Sequence, residues 1–381
     1  MAPLDYEMAH LIHENMRMNN VNLILKDGVK SFDHKGGVTT IHLQSGNSVD
    51  TELVILSIGV RPNSQLAKDA GLDLNERGGI LVNEHLKTSD PAIYAVGDVI
   101  EVEDFVSKGR TMIPLAGPAN KQGRICADNI AIELGLLPGK LKEYNGTQGT
   151  SIAQIFDLTA ASTGVNEKTL EKWGMEPEKD YFVAQIVQRS HAGYYPGSVF
   201  MHLKLLFNKE GKIFGAQIVG SDGVDKRIDT IATTMRLNGT VHDLTELELA
   251  YAPPYSSAKD PVNMLGYTAE NILEGLVTFA RWNEIEELEE KNDQNYIVLD
   301  VTEDVERMVY HIPGSYHIPL AQLRDRIHEL DKNKLIIVNC AMGVRSYNAS
   351  RILKNSGFNN VKVYPGGSIF YQTLHSHQTE R

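Results

Sequence analysis

The 381-residue sequence contains only two cysteines, Cys126 and Cys340. They lie far apart, so no disulfide framework is available, and this scarcity predicts a reducing, cytoplasmic setting. No apolar run approaches the ~20 residues needed to cross a bilayer, so no membrane partner is expected. The first residues carry no basic region followed by an apolar core and do not read as a secretory signal. Basic residues are outnumbered, and the formal net charge is -12. That excludes the clustered Lys and Arg that a nucleic-acid partner requires. Also missing is any G-x-G-x-x-G turn after a strand, the fingerprint of a dinucleotide-binding unit. No metal site is predicted.

What is present is ordinary for a soluble globular chain: 42% hydrophobic and 23% charged residues. The length allows two or three domains. Helical spacing of Leu4, Met8, Leu11, Ile12 and Met16 predicts a helix over 1–20, with nothing before it to pack on. Strands are expected at 21–25, 38–43 and 53–58, a short helix at 65–70 and a strand at 80–82. A helix is expected over 119–134, its free N–H groups near Gly117. Cys126 falls inside it and reads as a small buried hydrophobe. From 149 onward alternating strands at 151–156, 181–190, 199–208 and 213–219 predict an antiparallel sheet. Helices follow at 225–238 and 245–249. A further helix over 269–290 ends in an acidic run and reads as a solvated linker.

One stretch organises the first half, Thr88-Ser-Asp-Pro-Ala-Ile-Tyr-Ala-Val-Gly-Asp98. Residues 93–96 read as a buried strand, Gly97 as its turn, and Asp98 as a carboxylate at the strand's carboxyl end. Such a carboxylate can accept hydrogen bonds from sugar hydroxyls. The stretch resembles the second flavin-binding motif of the pyridine nucleotide-disulfide oxidoreductases. Leu53-Val-Ile-Leu-Ser-Ile-Gly-Val-Arg-Pro-Asn63 is similar to the segment that returns from the NAD-binding to the FAD-binding domain. Pro114-Leu-Ala-Gly-Pro-Ala-Asn-Lys-Gln-Gly-Arg124 is similar to the one that opens the helix under the isoalloxazine ring. The resemblance implies FAD and NAD(P)H as cofactors, and Gly59, Gly97, Asp98, Leu115 and Ala116 as flavin-binding positions. It begins in mid-domain, without the Gly-rich loops or the redox cysteine. That predicts the carboxyl-terminal part of a longer protein, the alternative being a natural protein that lost its amino-terminal half.

His191-Ala-Gly-Tyr-Tyr-Pro-Gly197 and Tyr251-Ala-Pro-Pro-Tyr-Ser-Ser-Ala-Lys-Asp-Pro261 resemble the coenzyme A-disulfide reductases and the related persulfide and polysulfide reductases. The resemblance implies a homodimer, coenzyme A as a ligand, and Tyr255 with Tyr195 or Tyr194 as catalytic phenols reaching the partner subunit's site. A phenol can donate a proton to a leaving thiolate.

The last 91 residues carry the most complete chemistry. A buried strand at 335–339 runs into Cys340, then Ala341-Met-Gly-Val-Arg-Ser346, then a helix over 347–356. Strand, tight loop and helix make a cradle of N–H groups that favours a thiolate, with Arg345 alongside. Such a thiolate can take up a sulfane sulfur as a persulfide. The loop resembles the rhodanese pattern Cys-x-x-Gly-x-Arg-Ser. Asp300-Val301, His311-Ile-Pro-Gly314 and Tyr364-Pro-Gly-Gly367 match other rhodanese motifs. Thr302 and Tyr310 depart from it, where arginine and glycine are usual. A related phosphatase loop would be one residue longer.

The fold expected is therefore α/β. Partial NAD(P)- and FAD-binding domains occupy 1–63 and 64–140. An α+β dimerisation domain (141–275), a linker (276–290) and a rhodanese-like α/β domain (291–381) follow. The resemblance implies an FAD-dependent NAD(P)H:disulfide, persulfide or polysulfide oxidoreductase acting on small thiols, disulfides or persulfides, with sulfane sulfur carried on Cys340. A stand-alone sulfurtransferase on a flavin-free dimerising platform and a non-catalytic interaction remnant are the alternatives.

Overall fold

Alternation of apolar and polar residues over 151–220 builds a five-stranded antiparallel sheet. Its strands run in the spatial order Ser151–Ile155, Leu158–Gly164, Ile213–Gly220, Phe200–Phe207, Phe182–Arg189. The helices Val224–Arg236 and Pro261–Leu273 pack on it, so Leu203, Leu205, Ile218, Ile231 and Leu265 are fully buried. The chain is described from residue 3 to residue 375 in a computed structural model. It divides into two compact units, one made of 1–15 with 148–381 and the other of 16–147.

The first helix is Tyr6–Met18, within the span its spacing predicts. Met1 and Ala2 lie outside the described residues. With nothing before it to pack on, the helix packs on elements that come later in the chain. Met8 and Ile12 are fully buried, and the Asp5 N–H donates to Gln217 of the five-stranded sheet at 2.7 Å. The same region holds Lys204, a buried ammonium on the sheet that pairs with Asp5 at 2.9 Å and with Glu7 and Glu167. Burial alone would lower the Lys204 pKa, but the three carboxylates outweigh it and hold it above its ordinary value.

In the carboxyl-terminal part of this unit, four parallel strands run in the order Tyr316–His317, Tyr296–Asp300, Leu335–Asn339, Val361–Val363. Strands covered on both faces read as continuous apolar runs, as 296–299 and 335–338 do. Leu299, Ile336, Val338, Leu353 and Phe358 form its core. The continuous helix expected over 269–290 is broken. Helix Pro261–Leu273 stops before Gly275, which takes a left-handed φ of 70°. Residues 277–280 then run extended, and Thr278 and Ala280 exchange backbone hydrogen bonds with Val363. Helix Glu284–Glu290 follows, with Ile285 fully buried, so the segment is not solvated throughout. Sheet pairing and burial of Val277 and Ala280 outweigh the helical propensity of this stretch.

The second unit is lightly built. It has an antiparallel meander, Val29–Lys35, Val38–Leu43 and Ser48–Thr51, and a small sheet of Ile80–Leu81, Ile100–Glu103 and Arg110–Thr111. The helix Ala116–Glu133 packs Ile125 and Cys126 against Val82, Ile100 and Tyr144. Three strand expectations fail here. Residues 21–25, 53–58 and 93–96 form no regular strand, and Val29–Lys35 is a strand that the pattern did not signal. Ile58 is 91% exposed and Ile55 81%, because no neighbouring strand covers them among the described residues. An apolar run becomes a buried strand only where partners satisfy its backbone and cover its side chains.

Candidate functional site

Cys340 leaves strand Leu335–Asn339 and is 2% exposed. The loop behind it closes on helix Val344–Asn355, and the Gly343 N–H donates to Cys340 Sγ at 3.1 Å. Gly343 adopts φ 121°, a conformation that side-chain-bearing residues rarely take. A second glycine is forced by close approach. A Cβ at Gly367 would lie 2.2 Å from the Cys340 carbonyl oxygen, and the Ser368 N–H donates to that same oxygen at 2.8 Å. The sulfur thus lies at a helix amino end with the Gly343 N–H directed at it, a geometry suited to an anion.

Arg345 lies in the first turn of that helix. Its two terminal nitrogens donate to both carboxylate oxygens of Glu306, at 2.5 and 2.7 Å. The bidentate fork holds Glu306 below the ordinary carboxylate range. Ser346 is fully buried, and its hydroxyl has no partner among the described residues. Asp300 accepts from Thr302 and from Arg307, both at 2.7 Å. The guanidinium that the motif leaves out at Thr302 therefore comes from Arg307. Of the two departures from pattern, Thr302 is a satisfied cap on Asp300.

The wall of the loop formed by Met342, Gly343 and Val344 borders a cavity of about 480 Å³. Its opposite wall comes from the five-stranded sheet and from Lys259, Tyr267 and Asn271. The Tyr347 hydroxyl donates to Asn271 at 3.3 Å and Arg351 to the Leu276 carbonyl at 2.6 Å, fixing the two walls together.

The tyrosines sit on two loops of the same unit, 190–198 and 251–260. Buried Arg227 joins them, donating to the carbonyls of Ser190 (2.9 Å) and Tyr255 (3.4 Å), to Ser256 Oγ (3.2 Å) and to Asp260 (3.0 Å). Ala192 N–H donates to the Ser256 carbonyl at 3.1 Å. Tyr255 is 71% exposed, and Tyr195 lies edge-on to His191 with centroids 5.9 Å apart. Tyr194 Oη lies 3.2 Å from Tyr251 Oη, and that hydrogen bond raises the Tyr194 pKa. Tyr194 is thus engaged within its own chain.

In the second unit, Asp98 lines a cleft of about 1010 Å³ with Asn63, Tyr94, Met112 and Pro114. Asp98 does not end a strand, as the sequence suggested. It lies in the 3-10 turn Gly97–Val99 that enters strand Ile100–Glu103. The Gly97 N–H donates to buried Gln122 at 2.7 Å, which ties this turn to helix Ala116–Glu133. Leu115 is the cap of that helix, Ala116 begins it, and its first N–H groups are without a side-chain cap. Gly59 is exposed, with φ 96°. Cys126 sits on the covered face of the same helix, and burial pushes its thiol up.

Residues 1–123 match the pyridine nucleotide-disulphide oxidoreductase family, 150–261 its dimerisation domain, and 284–368 the rhodanese-like domain. This chain joins pyridine nucleotide-disulphide oxidoreductase and rhodanese-like segments. It is 35% identical over 268 residues to a coenzyme A disulfide reductase of Staphylococcus epidermidis, covering 70% of this chain and 58% of that protein. The reduced CoADR-RHD of Bacillus anthracis superposes with a TM-score of 0.90 at 49% identity, over 99% of this chain and 65% of that one. A NAD-dependent persulfide reductase from A. fulgidus gives 0.87 at 37%, over 97% and 65%. The chain thus spans less than two thirds of these relatives.

The family implies FAD and NAD(P)H. The cleft at Asp98 fits the sugar-and-ring part of a flavin in having exposed carboxylates, Asp98 and Glu76, and an open helix amino end just beyond Pro114. It does not fit the whole dinucleotide. The sequence has no G-x-G-x-x-G, and Leu53, Ile55, Leu56 and Ile58 lie exposed, outside the lining of the cleft. Within the rhodanese-like domain, reasoning from sequence missed Glu306, because a surface Glu on a short helix carries no signal of its partner. It also missed Arg227. A lone arginine among Val224, Ile228 and Ile231 on the apolar face of a helix was the available clue.

Proposed function

We propose that this chain carries the sulfur-handling and dimerising parts of an FAD-dependent NAD(P)H:disulfide, persulfide or polysulfide oxidoreductase of the coenzyme A-disulfide reductase type, and that its own chemistry is sulfane-sulfur transfer at Cys340. The single observation that carries this is the Gly343 N–H directed at Cys340 Sγ at the start of a helix. The Cys340 thiolate attacks the outer sulfur of a donor. The new S–S bond forms as the donor's bond breaks, and the leaving group takes the electron pair. The resulting persulfide anion rests on the loop N–H groups. A small thiol acceptor, deprotonated, then takes the terminal sulfur and returns Cys340 as thiolate. Arg345, held by Glu306, anchors the start of the helix. FAD, where bound, supplies electron transfer from NAD(P)H to a disulfide.

Two copies pair through the dimerisation domain in this reading, presenting Tyr195 and Tyr255 to the partner subunit as proton donors to a leaving thiolate. The exposure of Tyr255 and its stapling by Arg227 support this. Asp98, Gly97, Leu115, Ala116 and Gly59 are the flavin-side contacts. Intact-mass and peptide mass spectrometry after incubation with thiosulfate or polysulfide tests the central claim. A gain of about 32 Da, one sulfur atom, is expected on Cys340. The same gain on Cys126, or on neither cysteine, overturns it.

A further inference from the structure

The cavity beside the Cys340 loop has a one-sided electrostatic character. Its lining includes the amides of Gln188 and Asn271 and the hydroxyl of Tyr267, and no carboxylate. Lys259 is the charged side chain in that lining. It is exposed and has no ion pair among the described residues, whereas its neighbour Asp260 is committed to Arg227. The cation nearest in sequence to Cys340, Arg345, is not free either, because both of its terminal nitrogens are held by Glu306. The rest of the lining is largely apolar, with Ile186, Met264, Val277 and Phe279, and a free ammonium in a wall without carboxylates attracts an anion.

We propose that Lys259 recognises the anionic part of the sulfur carrier that exchanges with Cys340, so that a residue of the dimerisation domain sets the specificity of the rhodanese-like domain. The inference rests on the reading of Cys340 as a sulfur carrier. The ligand class is a small sulfane donor or thiol bearing sulfonate-like or phosphate charge. In the donor step the Cys340 sulfur bonds to the outer sulfur of thiosulfate, the S–S bond of thiosulfate breaks, and sulfite leaves with the electron pair. In the acceptor step a thiolate takes the terminal sulfur as its own persulfide, and Cys340 thiolate is released. Neither step needs an outside oxidant or reductant. Lys259 contributes through its charge: it lines the cavity with Met342, Gly343 and Val344, and Cys340 is not part of that lining.

Two pairs of probes separate charge from sulfur chemistry. Thiosulfate, a dianion, is compared with methanethiosulfonate, a monoanion with the same sulfane sulfur. Coenzyme A is compared with pantetheine, which has the same thiol without the phosphates. Loading and unloading of Cys340 are followed by mass spectrometry on the full chain and on Lys259→Gln. An exposed lysine leaves the fold intact when replaced. The variant is expected to lose roughly three- to fivefold in rate with thiosulfate relative to methanethiosulfonate, or with coenzyme A relative to pantetheine, the scale of an exposed charge pair. A loss confined to the first pair assigns Lys259 to the donor, and one confined to the second pair assigns it to the acceptor. Unchanged ratios in both pairs overturn the proposal while leaving sulfur transfer standing. Failure of wild-type Cys340 to load from any donor removes the underlying reading instead.

Discussion

The Cys340 loop and the Asp98 cleft are both entered by a short turn and backed by the amino end of a helix, yet they differ in where their parts come from. Around Cys340, the strand Leu335–Asn339, the loop, the helix, Gly367 and the Arg345–Glu306 fork all lie between residues 306 and 367. The strand, the loop and the helix that hold the sulfur follow one another without a break. Around Asp98, the turn is tied to Gln122, but Val60 in the cleft lining is exposed, as are Leu53, Ile55, Leu56 and Ile58 before it. A site made by one strand–loop–helix unit closes on itself. A dinucleotide site is assembled from separate segments, and its binding energy depends on all of them.

The sharpest test of that contrast is at the two cysteines. Cys340→Ser is expected to abolish sulfur loading, because an alkoxide is far too basic to form at neutral pH and cannot carry a persulfide. Cys126→Ser is expected to load like wild type, since its thiol is buried in helix packing and its pKa is raised by that burial. At the other pole stands flavin. The chain is expected to retain no yellow colour after FAD loading and desalting, because the pyrophosphate-binding loop is missing from the sequence. An absorbance near that of flavin persisting through desalting, and lost in Asp98→Ala, would show that the cleft suffices and would dissolve the contrast.

The same contrast explains what could be read from the sequence. Residues 335–346 gave strand, loop and helix start because each is dictated locally, by an apolar run, by Gly343 and by the helical spacing after it. The antiparallel strands at 182–189, 200–207 and 213–220 were legible from alternation. The runs 53–58 and 93–96 were misread because a strand is a property of its neighbours as well as of its own residues. Residues 269–290 misled for a related reason. Local pattern favoured one helix, while pairing of Thr278 and Ala280 with Val363 required an extended chain. The partners of charged groups, Glu306 for Arg345 and three acids for Lys204, were illegible because they come from distant positions.

Lys204 extends the comparison to stability. It is buried with Asp5, Glu7 and Glu167, so Lys204→Met leaves three carboxylates facing one another without their cation. A loss of about 3–5 kcal/mol in urea unfolding of the first unit is expected. The sign of the pH dependence follows. Lys204 has a folded pKa above its ordinary 10.5, so its contribution is full below that pH and erodes as pH rises beyond it. Asp5 is raised by burial, but Lys204 outweighs this and holds it below its ordinary 3.8. Its contribution is full above that pH and fades as pH falls through the lowered folded value. Glu7, raised by burial, opposes it on the acid side. The gap between wild type and Lys204→Met should therefore narrow above about pH 10.5. A gap independent of pH from neutrality upward would mean the ammonium is not what holds these acids.

The smallest effect lies within the self-contained site, at the fork of Arg345 on Glu306. Both groups are partly exposed, so the pair is worth about 0.2–1 kcal/mol, and either single change leaves the domain folded. Arg345→Ala is expected to slow sulfur loading only a few-fold, since the Gly343 N–H still donates to Cys340 and the helix amino end remains. Glu306→Gln keeps one hydrogen-bonding oxygen and should slow it less. The informative quantity is the double variant. Glu306 reaches the loop through Arg345, so in an Arg345→Ala background the further change Glu306→Gln should have no effect on loading rate. Additive losses would mean that Glu306 acts on the sulfur or its donor directly. The fork would then be an incidental surface pair, with no role in anchoring the loop.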